Sequence, residues 1–436
     1  MEHIEIIRAL HNAGYDALIA GGYVRNMLLD LPHKDIDIAT SATPMQMREI
    51  FGDDARPVGQ SEKLGMLLVR NGKENFEVTS FGTESEYSDS RHPDEVKFVT
   101  SAKEDAKRRD LTVNGLFFNP LTGELFDYVG GFKDLSDRKL RFIGNATDRL
   151  REDPLRMLRA FRFEAQLPGF ILIDGSYYAI QKHRSWIRKV SVERVVGEIE
   201  KAWGTLGSHN FIARLWESGI FYDLFPELIN MESTNQNALF HPEGNVLNHT
   251  IGVLAHLRNE SSTLKWAGLL HDCGKPQCCN IDSLECHGHD KAGAAITKTL
   301  LTRLKLPTDV IMDVSWLVEN HMRVSRCLEM GSKKLLTFAT HPMFQDLLTL
   351  LTADNLGSLN LDTTRANQIR TRLTELTGTD EPVTPKPLLS GDDIMDQLGI
   401  PQGPLVGKVR TALIDAQLVG VVKNETEAIN FVEDYK

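Results

Sequence analysis

Residues 17–39, ALIAGGYVRNMLLDLPHKDIDIA, decide how the first part of this chain folds. A short apolar strand at 17–20 runs into Gly21-Gly22, residues 24–31 predict a helix, and 35–39 predict the next strand. Side chains at i and i+2 of a strand point to the same side, so Asp35 and Asp37 share one face while Ile36 and Ile38 turn to the core. Two carboxylates on one face repel unless a cation or base lies between them. One or two divalent metals held there neutralise a triphosphate and activate an attacking hydroxyl. The amides of the glycine turn, together with Arg25, can approach the same phosphate oxygens. In isolation the glycine pair is equally a tight turn and the DxD pair a surface turn.

Working outward, helices are expected at 3–13, with Ile4, Ile6, Ile7 and Leu10 inward, and at 43–51 with Pro44 at N1. Strands are expected at 64–69 and 75–80, joined at Asn71-Gly72, the strongest hairpin signal in the chain. Residues 82–94 lack periodicity and read as a mobile loop, and Asn119-Pro120-Leu121-Thr122-Gly123 reads as a turn between strands. From Asp148 the pattern is helical, with candidates at 152–165, 192–203 and 210–217, and a Pro-rich break at 383–388 precedes a last small helical piece. The expected divisions are 1–140, 141–235, 236–365 and 366–436, a count consistent with 436 residues.

Composition is that of a globular protein, with 41% apolar and 25% charged residues. No basic-plus-apolar leader and no apolar run of membrane-spanning length is evident, so the expected setting is the cytoplasm, with no membrane partner. Cys273, Cys278, Cys279, Cys286 and Cys327 form no CxxC pair, which argues against a disulfide framework or a thiolate zinc knuckle. The net charge of -11 argues against nucleic acid as a partner, but its distribution does not. Arg138, Lys139, Arg141, Arg151, Arg156, Arg159 and Arg162 precede Lys182, Arg184, Arg188, Lys189, Arg194 and Lys201, the last group interrupted by Glu193, Glu198 and Glu200. This basic middle is either a solvated helix face or a local grip on a phosphate backbone.

Two further motifs carry chemistry. In Arg108-Arg109-Asp110, beside a metal and triphosphate, an arginine can neutralise phosphate while Asp110 accepts from a ribose hydroxyl. In Glu152-Asp153-Pro154-Leu155-Arg156, Asp153 is the expected helix cap, and Asp153 and Arg156 can meet on one face. A carboxylate and a guanidinium together can read a nucleobase edge; alone, the pair is an ordinary helix-start salt bridge.

GGYVRN with DIDIAT, RRDLTVNG, VGGFKDLSDRKLRFIG and REDPLRMLRAFRF together resemble the class II tRNA nucleotidyltransferase and bacterial poly(A) polymerase family over residues 15–220. The resemblance implies a mixed-sheet α/β head followed by an all-α neck and body. It implies Asp35 and Asp37 as catalytic ligands of Mg2+, and Gly21, Gly22, Arg25, Arg108, Arg109 and Asp110 as nucleotide contacts. It further implies a hinge within 130–141 and a protein template of Glu152, Asp153 and Arg156, with Arg159 and Arg162 on the same helix, choosing CTP or ATP. Ser191, Glu193, Arg194 and Glu198 resemble the supporting neck motif. Asn26 departs from the usual VRD, which argues against a metal or arginine contact by that residue. The implied partner is the tRNA acceptor stem and 3′ end, and the product is CCA, CC or adenosines alone. Residues 83–96, with Tyr87, Asp89, Arg91 and Pro93, resemble the flexible loop of full CCA-adding enzymes. The segment Val58-Gly59-Gln60-Ser61-Glu62-Lys63 lacks the arginines of typical poly(A) polymerases. Both point to CCA addition.

In the second half, imidazoles and carboxylates at His249, His271, Asp272 and Asp354 can converge on one metal, with Asp272 able to bridge two. His287, His289 and His321 are candidates for a second metal or for phosphate. These segments resemble the all-α HD phosphohydrolase domain, implying Ni2+ or Mn2+ and phosphatase or 2′,3′-cyclic phosphodiesterase chemistry. The rival readings are a noncatalytic RNA-binding shell and an HD enzyme that uses the head as an RNA clamp.

Overall fold

The computed structural model describes residues 2–32, 36–59, 61–84, 96–280, 283–358, 363–379, 387–418 and 420–435. Two units follow one another, Met1–Pro226 and Glu227–Lys436. The first opens with the helix Glu2–Asn12, which buries Ile6, Ile7 and Leu10 at the helical repeat. Its strands are β1 (Ala17–Ala20), β2 (Asp37–Thr40), β3 (Ala55–Arg56), β4 (Met66–Asn71), β5 (Glu74–Ser80), β6 (Gly82–Glu84), β7 (Val96–Phe98), β8 (Leu116–Asn119) and β9 (Glu124–Asp127). Seven of them make one mixed sheet in the order β3-β4-β5-β2-β1-β8-β9. β1 is buried throughout and pairs antiparallel with β2 and β8, with Ile19 opposite Ile38. β2 pairs in parallel with β5, which sets Asp37 beside Glu77.

The hairpin at Asn71-Gly72 forms as its sequence indicates, with Asn71 opposite Glu74 and Gly72 at φ 60°. Thr43 caps the helix Pro44–Phe51 in a reciprocal box with Gln46. Of the expected loop, residues 85–95 lie outside the described residues, and its flanks β6 and β7 pair antiparallel. Asp35 also lies outside them, so β2 is described from Asp37 onward.

The rest of this unit is helical apart from one short parallel pair, β10 (Lys139–Leu140) with β11 (Ile171–Leu172). The single helix expected at 152–165 is two, Ala146–Glu152 and Arg156–Gln166, separated at Pro154. Val192–Trp203 and Ser208–Glu217 pack on the second of these. The other unit is all α. Its longer helices are Val246–His256, Ser262–Leu270, His289–Arg303, Thr308–Val324 and Phe344–Gly357. Gly391–Leu398, Pro404–Leu418 and Glu425–Glu433 share a small core around Ile394, Val409, Leu413 and Val432.

Candidate active sites

One end of the central strands β1 and β2 of the large sheet holds the first site. β1 ends at Gly21, whose φ of 71° lies in the left-handed region, and a Cβ there would stand 3.0 Å from Arg109 Nη1. Glycine thus provides both the turn and room for Arg109. A cleft of about 580 Å3 opens here, lined by Gly21, Gly22, Arg25, Asp37, Glu77, Arg108, Arg109, Asp110, Asp153, Arg156, Arg159, Arg162 and Arg194 among others.

Asp110 is its electrostatic hub. Its carboxylate accepts from Leu111 N at 2.7 Å, Asn114 Nδ2 at 3.0 Å and Arg159 Nε at 2.8 Å. Burial opposes its ionisation, but Arg159 and the hydrogen bonds hold the carboxyl well below the usual range. Asn114 passes the connection on, its Oδ1 accepting from Arg25 Nη1 at 2.5 Å. Arg25, Arg159 and Arg162 stand over the Phe163 ring at 5.0, 5.7 and 4.2 Å. Burial lowers the Arg25 guanidinium to about 10, with Arg162 and Arg159 adding to the effect and Asp110 opposing it, so it stays charged at neutral pH. Contrary to the expectation from its neutral side chain, Asn26 does contact an arginine. Its Oδ1 accepts from Arg25 Nε at 3.0 Å and Nη2 at 2.8 Å, while its Nδ2 donates to Pro32 O at 2.9 Å. An amide oxygen suffices for a guanidinium, and the amide hydrogens tie the helix to the connection toward β2.

Asp153 and Arg156 line this cleft, each held by a different partner. Asp153 accepts from Arg194 Nη2 at 2.7 Å, and Arg156 Nη1 donates to Glu152 at 2.5 Å and to Arg149 O at 3.1 Å. Arg149 also pairs with Glu152. Asp153 is not the helix cap, because that helix begins after Leu155, although its Oδ1 accepts from Leu155 N at 3.1 Å. Arg108 and Arg109 both hold buried Asp105, at 2.7 and 3.0 Å. Glu198 anchors Arg162 at 2.7 Å and Lys201 at 3.1 Å, while Ser191 caps the helix that carries Glu193, Arg194 and Glu198. The basic run is partly neutralised within the fold, since Asp223 takes Arg188 at 2.5 Å and Arg184 at 3.7 Å. Lys182 and Lys189 are exposed beside Trp186, which stacks on His183.

The second site lies in the all-α unit, where four imidazoles converge. Nε2 of His249 is 3.2 Å from Nε2 of His271 and 2.9 Å from Asp354 Oδ1. Nε2 of His289 is 3.1 Å from Nε2 of His321. Asp272 spans the two pairs, with Oδ2 at 3.3 Å from His271 and Oδ1 at 3.4 and 3.6 Å from His289 and His321. Each Nδ1 is engaged on its other side. His249 meets Glu243 at 2.8 Å, and His271, His289 and His321 donate to the carbonyls of Gly268, Cys286 and Val318 at 2.9, 2.6 and 2.7 Å. That fixes the tautomer of the neutral rings and, once His249 gives up its proton, leaves every Nε2 lone pair for a ligand. Gly274 permits the arrangement, because a Cβ there would lie 2.2 Å from His289 O.

Charge in this cluster suits a cation. Despite burial, Asp354 and Asp272 are held below the usual carboxyl range, the first by His249 and the second by Lys275 and His271. Burial likewise opposes the charge on His249, yet Asp354 and Glu243 raise it to about 9. The Lys275 ammonium sits 2.6 Å from Asp272 Oδ2 and donates to Gln236 at 2.6 Å. This donor set fits a divalent metal, or two bridged by Asp272. The structure leaves His287 apart, its ring 91% exposed and facing Glu285 at 3.5 Å.

Among residues the sequence did not single out, Glu77, Asn114, Phe163, Glu243 and Lys275 all take part. The signals for two were present, in the polar break at Asn114 within 111–118 and in Lys275 one helical turn beyond Asp272. Cys279 and Cys286, opposite one another in an isolated antiparallel bridge, are placed as a disulfide pair, which is a single local link and not a framework. A turn brings together residues that no spacing motif marks.

Residues 17–141 match the family model of the Poly A polymerase head domain, 169–231 that of the Probable RNA and SrmB- binding site of polymerase A, and 246–335 that of the HD domain. The CCA-adding enzyme of Latilactobacillus sakei is 38% identical over 234 residues, which is 53% of this chain and a little over half, 58%, of that relative's length. The CCA-adding enzyme of Streptococcus agalactiae is 30% identical over 443 residues, 99% of this chain and 96% of its own. The crystal structure of the Bacillus stearothermophilus CCA-adding enzyme in complex with CTP aligns over 100% of this chain and 96% of its own, with a TM-score of 0.73 and 28% identity. No described helix is long and apolar enough to cross a membrane. End-to-end similarity at this level means that the chain belongs to the CCA-adding enzymes, class II nucleotidyltransferases, and its own second half carries the HD domain match.

Proposed function

We propose that this chain adds CCA to tRNA 3′ ends from CTP and ATP without a nucleic-acid template. One observation carries the reading: phosphate-binding groups (Gly21, Gly22, Arg25, Arg109) and base-reading groups (Asp153, Arg156) share a single cleft with Asp37. Residues 1–140 act as the nucleotidyltransferase head, 141–235 as neck and RNA-binding body, 236–365 as the HD domain and 366–436 as a helical tail. Asp37 and Asp35 are the Mg2+ ligands, and Glu77 stands beside Asp37; Mg2+ bound there would offset the triphosphate charge and acidify the terminal hydroxyl. Arg25, Arg108 and Arg109 bind and orient the phosphates, and Asp110 keeps Arg159 and, through Asn114, Arg25 in place. Asp153 accepts from a base amino group and Arg156 donates to a base acceptor, each pre-oriented by Arg194 or Glu152. The tRNA is recognised by helix shape, backbone and 2′-hydroxyls along the neck, in the cytoplasm.

In the second half, His249, His271, Asp272 and Asp354, with His289 and His321, hold Ni2+ or Mn2+ for phosphatase or 2′,3′-cyclic phosphodiesterase action. Removing a terminal phosphate exposes the hydroxyl on which nucleotide addition depends. The test supplies CTP and ATP separately to tRNAs ending before CCA, after CC, and in 2′,3′-cyclic phosphate. Stepwise C, C, A incorporation is expected; adenosine alone, or RNA binding without incorporation, overturns the reading. Asp37→Ala should abolish incorporation and leave phosphohydrolysis intact, and near-normal incorporation would sink the assignment.

A further inference from the structure

A cleft of about 690 Å3 in the second unit has none of the roles described above. Its lining includes Trp316 and His341, stacked with ring centroids 3.6 Å apart and planes 3° from parallel. Arg323 lies 4.1 Å over the neighbouring Phe338 ring, and exposed Lys333 and Lys334 complete the lining. Arg323 and Lys334 also line a second cleft of about 620 Å3, so the two adjoin. That second cleft adds Arg326 and reaches His289 of the metal cluster.

The chemistry of this surface is mixed in a particular way. Asp290 and Glu329 line the second cleft and Asp415 stands 3.8 Å from Lys333, yet Arg323 and Lys334 line both clefts and Arg326 joins them in the one that holds His289. A free phosphate needs the cations without the rings, and an apolar peptide needs the rings without the cations. A nucleotide strand uses both, since each base has a π face to stack and each linkage a phosphate to neutralise. Stacking of this kind tolerates any base.

We propose that the paired clefts are a binding track for a single-stranded RNA end, with the terminal phosphate at His289 and His321, the preceding phosphates among Arg326, Arg323 and Lys334, and an upstream base on the Trp316–His341 stack. The proposal rests on the phosphohydrolase reading of the same cluster and names its substrate class, which is the end of an RNA strand and not a free mononucleotide.

The full chain loaded with Mn2+ is assayed on 2′,3′-cyclic CMP and on a trinucleotide ending in 2′,3′-cyclic phosphate. Trp316→Leu should reduce the preference for the trinucleotide, as a ratio of kcat/KM values, about tenfold, the scale of one lost stacking contact, and Lys334→Glu, which reverses a phosphate-binding charge, should reduce it as well. Trp316→Phe, which keeps a ring, should retain it. In parallel, a 4-thiouridine-containing oligonucleotide is photo-cross-linked to the unaltered chain, and adducts are expected in the peptides holding Trp316 or His341. Absence of adducts there, or an unchanged preference in both variants, overturns the track even if hydrolysis is robust. Adducts at those peptides without hydrolysis of either substrate uphold the track and overturn the phosphohydrolase reading alone.

Discussion

Asp110 is where one side chain decides the most. It is buried and receives Arg159, Asn114 and a backbone amide, while Arg25 reaches it through Asn114. Asp110→Asn leaves Arg159 and Arg25 without their principal carboxylate. The expected cost is about 3 kcal/mol, the low end of the range for breaking a buried pair, because Arg159 keeps 33% of its side chain exposed. Chemical denaturation of Asp110→Asn, Arg159→Met and the double variant should give a sum of single effects that exceeds the double effect. A second residue-scale effect concerns protons. His249 titrates near 9 in the folded, metal-free chain against 6.5 for an ordinary imidazole, so its contribution to stability is fully present below about 6.5 and lost as pH rises through about 9. Metal-free protein should therefore melt at a lower temperature at pH 9 than at pH 6.5, with the slope reduced in His249→Gln. Divalent metal affinity should rise with pH across the same window, by about tenfold per unit for each proton displaced, as titration calorimetry can measure.

At the scale of elements, two glycines position the sites. Gly21→Ala forces a Cβ onto a backbone at φ 71° and against Arg109, with an expected loss of about 1–2 kcal/mol and of nucleotide incorporation. Gly274→Ala places a Cβ 2.2 Å from His289 O, so the turn and the helix must separate; loss of metal binding with little change in incorporation is the expected pattern. Much of this scale was legible in the sequence. The strand–glycine–helix–strand order, the Asn71-Gly72 hairpin and Pro44 in the first turn of its helix follow from local stereochemistry and form as expected. The break before Arg156 was legible too and was misjudged. Pro154 disfavours a helical conformation in the preceding residue, and Asp153 sits at φ -143°, ψ 102°. What could not be read locally was which partner each charge finds. Asp153 meets Arg194 across 41 residues, and Arg25 meets Asn114 across 89. Asp110 and the converging histidines and aspartates of the second half were legible through the motifs that resemble known families, whereas Glu77 and Glu243 depend on strand register and chain reversal.

For the whole molecule, the division at Pro226 and Glu227 separates the strand-end cleft from the histidine cluster. Each site sits in its own unit, so a ligand specific to one should stabilise that unit first. Scanning calorimetry with added Mn2+ should raise the transition of the helical unit by RT ln(1 + [L]/Kd) while the other moves little. A common shift would show that the two halves unfold together. Lys275 adds a consequence for the life of the protein without metal. Its ammonium already lies 2.6 Å from Asp272 and so stands in as a tethered counterion. An incoming ion competes with a resident charge and is held less tightly than by an unopposed carboxylate, which makes the bound ion exchangeable. During metal starvation the chain should idle in its folded form and reload when supply returns.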